Sequence, residues 1–376
     1  MDVETYRKRI AVLENGLLST YTMREALMLR LRDEGHKVYV ITHTNQYQKV
    51  VQEWGIDVIH VGFSNQNPIG VLRYIYRVYK SLKTIRPEIC LTFSIRPAIW
   101  GNMVCRLLKI PTITNITGIG PLFDSKSFVY KIARFLYKLV LKTANKVFFQ
   151  NVDDMNLFIR HKFVKPENAE MLPGSGVDPN KFIPLEAQKK TGTFVFLFIG
   201  RLIKDKGIYE YINAAKEIKE EFPNVIFQII GPFWHQNLKT NLIKPEELQN
   251  WIDGAIIDYL GEKLDVRQYI ADVDCVVLPS YREGMSNVLL ESSSMERPCI
   301  TTNVTGCKEI IEDGKTGFLC KVQDSHDLAD KMRKMLALSR EERIQMGRNG
   351  RKKIIKEFSK ETVINAYLEA VQQYSK

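Results

Sequence analysis

The sequence predicts two α/β domains, each a doubly wound parallel sheet with helices on both faces. Three observations carry this. Short apolar runs alternate with longer amphipathic ones through both halves of the chain. The apolar runs are nearly continuous, as in strands buried on both faces, and do not alternate as half-exposed strands do. A Pro/Gly cluster from Leu172 to Pro179, followed by Lys189-Lys190-Thr191-Gly192, divides the chain near its middle. With 376 residues, there is enough chain for two hydrophobic cores.

In the first half, strands are expected at Arg9–Leu13, Lys37–Thr42, Asp57–Val61, Glu88–Phe93, Thr112–Ile116 and Lys146–Gln150. Helices are expected between them. Thr22–Asp33 opens on Thr22-x-x-Glu25, a capping-box pattern, and stops before Gly35. Pro68–Arg86 and Ser127–Thr143 carry the other clear helical periods. In the second half, strands read at Thr193–Ile199, Val225–Ile230, Ala255–Leu260, Val273–Leu278 and Pro298–Thr302. Helices read at Ile208–Glu221, Val266–Ala271, Asn287–Met295, His326–Leu338 and Arg340–Phe358. Ligands of such sheets bind at the carboxyl ends of the strands, so chemistry is sought just after each strand.

Composition sets the outer bounds. Hydrophobic residues make up 45% and charged residues 26%, which excludes disordered and collagen-like chains. The net charge is +11 and sits in the first half, which points to an anionic partner. From Asp57 to Glu88 there is no acid between, while Arg73, Arg77, Lys80, Lys83 and Arg86 recur at helical spacing. From Arg106 to Lys146 the only acid is Asp124. Within that stretch Lys131, Arg134 and Lys138 alternate with aromatic and aliphatic residues, a pattern that suits a helix lying on an anionic membrane surface. Met1 to Ile10 has mixed charge with no apolar run following, so no signal peptide is expected. No apolar run is long enough to cross a bilayer. The six cysteines show no CxxC spacing and read as buried thiols.

Two segments carry the strongest chemistry. The first runs Phe198-Ile199-Gly200-Arg201-Leu202-Ile203-Lys204-Asp205-Lys206-Gly207. A strand ends at Gly200, a basic loop follows, and Gly207 opens a helix. Glycine lets a backbone approach a phosphate, Arg201 and Lys206 supply charge, and the helix N-terminus adds a partial positive charge. The second runs Ser280-Tyr281-Arg282-Glu283-Gly284-Met285-Ser286-Asn287, with Glu291 on the helix that follows. Glu283 and Glu291 are placed to accept hydrogen bonds from sugar hydroxyls. Both glutamates would also simply favour a helix N-terminus. Taken together, the two segments suit a nucleoside-diphosphate sugar.

These segments, with Gly306-x2-Glu309 and Asp313-Gly314-x2-Gly317-Phe318, resemble the retaining glycosyltransferases of family 4, which have the GT-B fold of two Rossmann-like domains around a cleft. Thr117-Gly118-Ile119-Gly120, Phe148-Phe149-Gln150-Asn151 and Leu172-Pro173-Gly174-Ser175-Gly176-Val177-Asp178 are similar to bacterial members that build capsule, O-antigen or other surface glycans. The resemblance implies an acceptor-binding domain over residues 1–180, joined by a C-terminal helix at 361–376, and a donor-binding domain over 190–358. It implies that Arg201 and Lys206 bind the donor diphosphate, and that Glu283 contacts the donor sugar and stabilises charge at the reacting centre. Glu291 would hold the ribose. Gly200, Gly284, Met285, Ser286 and Asn287 would line the phosphates and sugar, Gly16 would let its loop approach the phosphates, and Gly261 and Lys263 would lie near the base. UDP is the preferred base.

One departure stands out: many relatives carry a histidine where Thr117 stands here. Asn115, Thr117 and Gly118 are left as acceptor or sugar contacts. The acceptor implied is a glycan or a polyprenyl-diphosphate-linked sugar, met by a cytoplasmic enzyme on the inner membrane face. Asp272-Val273-Asp274 reads as a metal-binding DxD, but it enters a strand at its amino end, the wrong end for ligands. No metal, no other cofactor and no nucleic-acid partner is expected. Other reactions on the same fold, a sugar-nucleotide 2-epimerase or a phosphorylase, lack support from cleft histidines or a pyridoxal-phosphate lysine. A nucleic-acid-binding module rests on charge alone, and a dehydrogenase lacks GxGxxG.

Overall fold

The computed structural model describes residues 7–44, 46–62, 68–120, 122–123, 127–188, 192–233 and 242–375. The first six residues of the segment read for a signal peptide, Asp124, the Lys189-Lys190-Thr191 part of the expected linker, and His235 lie outside them. The chain forms two compact units: residues 1–175 with 361–376, and residues 176–360.

In the first unit the strands are β1 (Arg9–Leu13), β2 (Lys37–Thr42), β3 (Asp57–His60), β4 (Ile89–Phe93), β5 (Thr112–Ile116), β6 (Lys146–Phe149) and β7 (Ala169–Met171). Among the described residues they form one parallel sheet in the order β3-β2-β1-β4-β5-β6-β7. The helices are α1 (Leu17–Ser19), α2 (Glu25–Asp33), α3 (Gln48–Glu53), α4 (Pro68–Ile85), α5 (Asn102–Leu108), α6 (Phe128–Leu141) and α7 (Val152–Arg160). β4 and β5 are buried along their whole length. β4 is mostly apolar, whereas the polar residues of β5 are hydrogen-bonded inside, the Thr114 hydroxyl accepting from the Thr92 hydroxyl at 2.9 Å and from the Asn102 amide at 2.8 Å.

The second unit holds β8 (Val195–Ile199), β9 (Ile226–Ile230), β10 (Asp258–Tyr259), β11 (Cys275–Leu278), β12 (Cys299–Thr302) and β13 (Gly317–Cys320). Its sheet is parallel in the order β10-β9-β8-β11-β12-β13. The helices are α8 (Ile208–Glu221), α9 (Pro245–Asp253), α10 (Arg267–Ala271), α11 (Asn287–Ser294), α12 (Ser325–Ala337), α13 (Arg340–Glu357) and α14 (Lys360–Tyr374), the last running into the first unit. Val363, Ile364, Tyr367, Ala370 and Val371 of α14 are buried with Ile10, Val12 and Phe93. The Tyr367 ring meets Phe148 at 5.0 Å and Phe93 at 5.7 Å.

Sequence reading missed β7 and β13, and the helices α3, α5, α7 and α9. All are short, and a single turn or two of apolar spacing gives no clear period. The Thr22-x-x-Glu25 capping box does not form. The helical run begins earlier, at Leu17, and passes through a π-helical turn over Thr20–Arg24. The Thr22 hydroxyl donates to the Leu18 carbonyl at 2.8 Å, so it serves as an interior back-bond and not as a cap. All six cysteines are buried free thiols.

Candidate active site

Each sheet reverses strand order once: between β1 and β4 in the first, and between β8 and β11 in the second. In doubly wound sheets that reversal opens a crevice at the carboxyl ends of the strands. The two sequence-predicted segments leave the carboxyl ends of β8 and β11, on either side of the second reversal.

After β8 the chain passes Gly200 and Arg201, makes a tight 3-10 turn at Lys204–Lys206, and enters α8 at Gly207. Gly207 has φ +73°, and a Cβ there would sit 2.0 Å from the Pro279 carbonyl oxygen. The glycine is therefore what lets the loop after β8 lie against the loop after β11. The Tyr281 N–H donates to the Asp205 carbonyl at 2.9 Å, and the Tyr281 hydroxyl donates to Glu210 of α8 at 2.8 Å.

That packing brings Lys206 to Glu283. The Lys206 ammonium pairs with Glu283 Oε1, and the Ser280 hydroxyl donates to the same oxygen at 2.6 Å. Both charged side chains are largely shielded from solvent, at 17% and 12% exposure, so their attraction is little screened. Arg201, in contrast, is exposed. Glu283 is fixed from behind by Gly306. Gly306 has φ +82°, and a Cβ on it would fall 2.6 Å from the Glu283 carbonyl oxygen. The Glu283 N–H donates to Thr305, and the Ser286 N–H donates to the Gly306 carbonyl at 3.0 Å. The Gly306 N–H in turn donates to Glu309 at 2.8 Å.

Ser286 caps α11, its hydroxyl accepting from the Leu289 N–H at 3.4 Å. Its own amide is committed to Gly306, so Ser286 N–H is not available to an incoming phosphate. Met285 is buried. Glu291 lies one turn into α11 and keeps partial exposure. Burial pushes its carboxyl up to about 7, against the pull of Lys360 and Lys181. Gly261 has φ +76°, and its carbonyl accepts from the Gly231 N–H at 3.0 Å. Lys263 is exposed and lies over the Tyr269 ring at 5.5 Å.

In the first unit, the reversal between β1 and β4 holds a buried network. Glu14 Oε1 accepts from the Asn15 N–H at 3.1 Å and from the Ser94 hydroxyl at 3.2 Å. Glu14 Oε2 lies 3.2 Å from Arg24 Nε, and the Arg24 guanidinium stacks 4.1 Å over Phe93. Burial raises the Glu14 carboxyl, while Arg24 pulls it down. Gly16 follows at once. Its φ is −160°, and a Cβ would meet only Thr44, at 3.4 Å. Neither backbone strain nor a clash within the protein requires a glycine here, so the residue leaves open space beside its loop.

The weaker assignments divide. The Asn115 amide is buried and donates to the Tyr367 hydroxyl at 2.5 Å, beneath α14. It is a packing residue, and any sugar contact in this region falls to the half-exposed Thr117 and Gly118. On α6, Lys131 and Lys138 are exposed, but the Arg134 guanidinium turns inward to the Leu122 carbonyl at 2.5 Å and leaves the basic face. Asp274 accepts from the Val195 N–H at 2.9 Å and Asp272 from the Gln188 N–H at 2.6 Å, so the DxD closes backbone at the amino end of the sheet. Among the described residues no group of His, Cys, Asp and Glu could hold a metal ion. Ser280 and the Tyr281–Glu210 pair were given no role from sequence, and Gly306 stood only in the Gly306-x2-Glu309 run, with no sign that it would support Glu283. Ser280 stood in the motif but gave no sign that its hydroxyl would meet Glu283.

Residues 180–353 match the family described as glycosyl transferases group 1, and residues 9–151 match the family described as glycosyl transferase 4-like. The chain is 25% identical, over 87% of its length and 89% of the relative's, to the N,N'-diacetylbacillosaminyl-diphospho-undecaprenol alpha-1,3-N-acetylgalactosaminyltransferase of Campylobacter jejuni. It is 28% identical, over 69% of each chain, to the UDP-Gal:alpha-D-GlcNAc-diphosphoundecaprenol alpha-1,3-galactosyltransferase of Escherichia coli. Among solved structures, a glycosyltransferase from Rickettsia africae aligns with a TM-score of 0.79 at 18% identity, covering 98% of this chain and 99% of that one. Anabaena HepE in complex with UDP-glucose aligns with a TM-score of 0.79 at 17% identity, covering 98% of this chain and 100% of that one. With both halves matched and both parallel sheets in place, the chain belongs to the family 4 glycosyltransferases and has the GT-B fold.

Proposed function

We propose that the protein moves a sugar from a UDP-sugar to a sugar carried on a polyprenyl diphosphate, with retention of anomeric configuration and without a metal ion, in assembly of a bacterial surface glycan. The observation that carries this is the meeting of Lys206, Glu283 and Ser280 at the strand-order reversal of the second sheet. The relatives from Campylobacter jejuni and Escherichia coli, named as transferases onto diphospho-undecaprenol sugars, support the acceptor class.

In this reading Arg201 and Lys206 hold the donor diphosphate, and Lys206 is shared between Glu283 and a phosphate oxygen when the donor binds. Glu291 takes the ribose hydroxyls. Transfer proceeds on one face of the sugar: the bond from the anomeric carbon to the phosphate oxygen breaks, and the acceptor oxygen bonds to the same carbon. The acceptor proton passes to the departing phosphate. No protein base is needed, which agrees with Thr117 standing where many relatives carry histidine. Charge accumulates on the leaving diphosphate, so Arg201 and Lys206 supply the main stabilisation. The exposed Lys131 and Lys138 hold the enzyme on the anionic inner face of the membrane. No described helix is long and apolar enough to cross a membrane.

Thermal stability against UDP, GDP, ADP, NAD and a short DNA duplex, all in EDTA, tests the donor class. A ligand at 100 times its Kd adds about 2.7 kcal/mol. A rise with UDP is expected. A rise with DNA and none with any nucleotide would sink the reading. The anomeric configuration of the product, read by NMR, tests retention.

A further inference from the structure

The loop after β11 is fastened to the start of α8 through one residue. The Tyr281 N–H donates to the Asp205 carbonyl at 2.9 Å, and the Tyr281 hydroxyl donates to Glu210 Oε1 at 2.8 Å. Both anchors belong to one short segment, the 3-10 turn at Lys204–Lys206 and the first turn of α8. The aromatic ring between them is stiff, so Tyr281 acts as a strut from the loop to the helix.

The helix end of the strut is itself held. Ile208 and Tyr211 are buried. The Tyr209 hydroxyl donates to Glu247 of α9 at 3.1 Å, and the Tyr209 ring meets Trp251 edge-on at 5.8 Å. Glu210 Oε2 is buried and has no hydrogen-bond partner among the described residues, so the carboxylate is committed to the phenol. A carboxylate kept in this way is costly, and packing alone would be served at lower cost by an apolar side chain. Burial and the Glu210 carboxylate raise the Tyr281 phenol above its ordinary value, so it remains a donor at neutral pH.

The strut enters the loop between two residues that share one atom. Ser280 and Lys206 both meet Glu283 Oε1. The Glu283 N–H is held by the Thr305 carbonyl on its other side. A loop free to turn at Tyr281 would move Ser280 and Glu283 together away from Lys206.

We infer that Glu210 and Tyr281 are positioning residues: the strut between them fixes Ser280 and Glu283 against Lys206, and so sets how the Lys206 charge meets the leaving diphosphate. This rests on the transferase reading proposed above and extends it to two residues outside the donor contacts assigned there.

UDP release from UDP-glucose, UDP-galactose, UDP-N-acetylglucosamine and UDP-N-acetylgalactosamine, with water in place of the acceptor, tests it. The bond from the anomeric carbon to the phosphate oxygen breaks, the water oxygen bonds to that carbon, and a proton passes from the water to UDP. Tyr281→Phe and Glu210→Ala should each lower kcat about 10-fold with the donor KM within about twofold, the effect of a small misplacement near the reacting centre. The double variant should fall no further than either single one, because both remove one contact. Glu210→Gln keeps an acceptor oxygen and should restore most of kcat. Tyr209→Phe loses an equivalent bond on the same helix turn and should leave kcat unchanged. In a Glu283→Gln background, Tyr281→Phe should change kcat by less than about twofold, because the strut acts through Glu283.

An unchanged kcat in Tyr281→Phe, with loss of stability alone, overturns the inference. So does a loss in Tyr209→Phe as large as that in Tyr281→Phe, or a full 10-fold effect, about the same as in the native chain, when Glu283 is already replaced. UDP-dependent thermal stabilisation separates the failures. A native chain that is stabilised by UDP and releases it from one of the four donors, with Tyr281→Phe unaffected, removes only the strut. No stabilisation and no release from any donor removes the transferase reading, and the inference with it.

Discussion

Lys206 and Glu283 lie 77 residues apart and form an ion pair where the second sheet reverses its strand order. Neither residue stands on a regular strand or α-helix. Each sits in a loop, and the loops meet because Gly207 accepts a left-handed backbone against Pro279. Lys206→Ala should raise the donor KM and lower kcat, since it removes charge from the leaving diphosphate. The loss expected for one such electrostatic group is about 10²- to 10³-fold in kcat. Glu283→Gln should lower kcat by a similar factor. The double variant should fall short of the product of the two losses, because the residues share one contact. Steady-state kinetics of the three variants checks this.

Glu291 is held at a cost to stability. Its carboxyl is raised from 4.5 to about 7 by burial. The folded state thus binds this proton more tightly than the unfolded state. Stability from this group is greatest below pH 4.5 and declines as pH rises to about 7. Glu291→Gln should therefore stabilise the protein at pH 8 by up to about 3 kcal/mol, at 1.36 kcal/mol per pKa unit, and change little at pH 4.5. The same variant should weaken UDP binding by roughly 10- to 100-fold, the loss expected for hydrogen bonds to a charged group. Thermal melts across pH, with and without UDP, read both effects.

Gly306 supports Glu283 through its backbone. Gly306→Ala adds a Cβ 2.6 Å from the Glu283 carbonyl oxygen and strains a φ of +82°. The fold should lose about 1–3 kcal/mol. Activity should fall at temperatures where the variant remains folded, because Glu283 is displaced. Circular dichroism melts alongside kcat at a low temperature distinguish the two.

Tyr367 binds α14 to the first sheet through ring packing and through the Asn115 amide. Tyr367→Phe keeps the rings and strips the amide of its partner. A cost of about 1–3 kcal/mol is expected for the buried unsatisfied group, with kcat and donor KM unchanged. Chemical denaturation with an activity assay checks this, and a large fall in kcat would contradict the packing role given to Asn115.

The basic face of α6 gives a salt-dependent prediction. Lys131→Ala with Lys138→Ala should reduce binding to phosphatidylglycerol vesicles by about 30-fold at low salt, from about 1 kcal/mol per basic residue. Arg134→Ala should affect stability more than vesicle binding, since its guanidinium is spent on the Leu122 carbonyl. Vesicle sedimentation at two salt concentrations separates these.

The sequence by itself determined the two parallel sheets, and it marked out the Pro/Gly cluster from Leu172 to Pro179 and the two loops that meet at Lys206 and Glu283. Each is written locally: a five-residue apolar run such as Val195–Ile199, rich in β-branched and aromatic residues and closed by Gly200, favours a buried strand, and Gly207 after a basic loop marks a helix start on a strand end. Strand order was not legible, because it depends on which apolar strands pair and not on any one segment. Only the tertiary structure placed β8 beside β11, and so brought Lys206 to Glu283 and Ser280. It also gave Asn115 to Tyr367 and turned Arg134 inward, decisions made by packing across more than a hundred residues in the first case and by a nearby carbonyl in the second. The short elements β7, β13, α3 and α7 were equally invisible, because a few residues hold too little periodicity and tertiary contacts supply the rest.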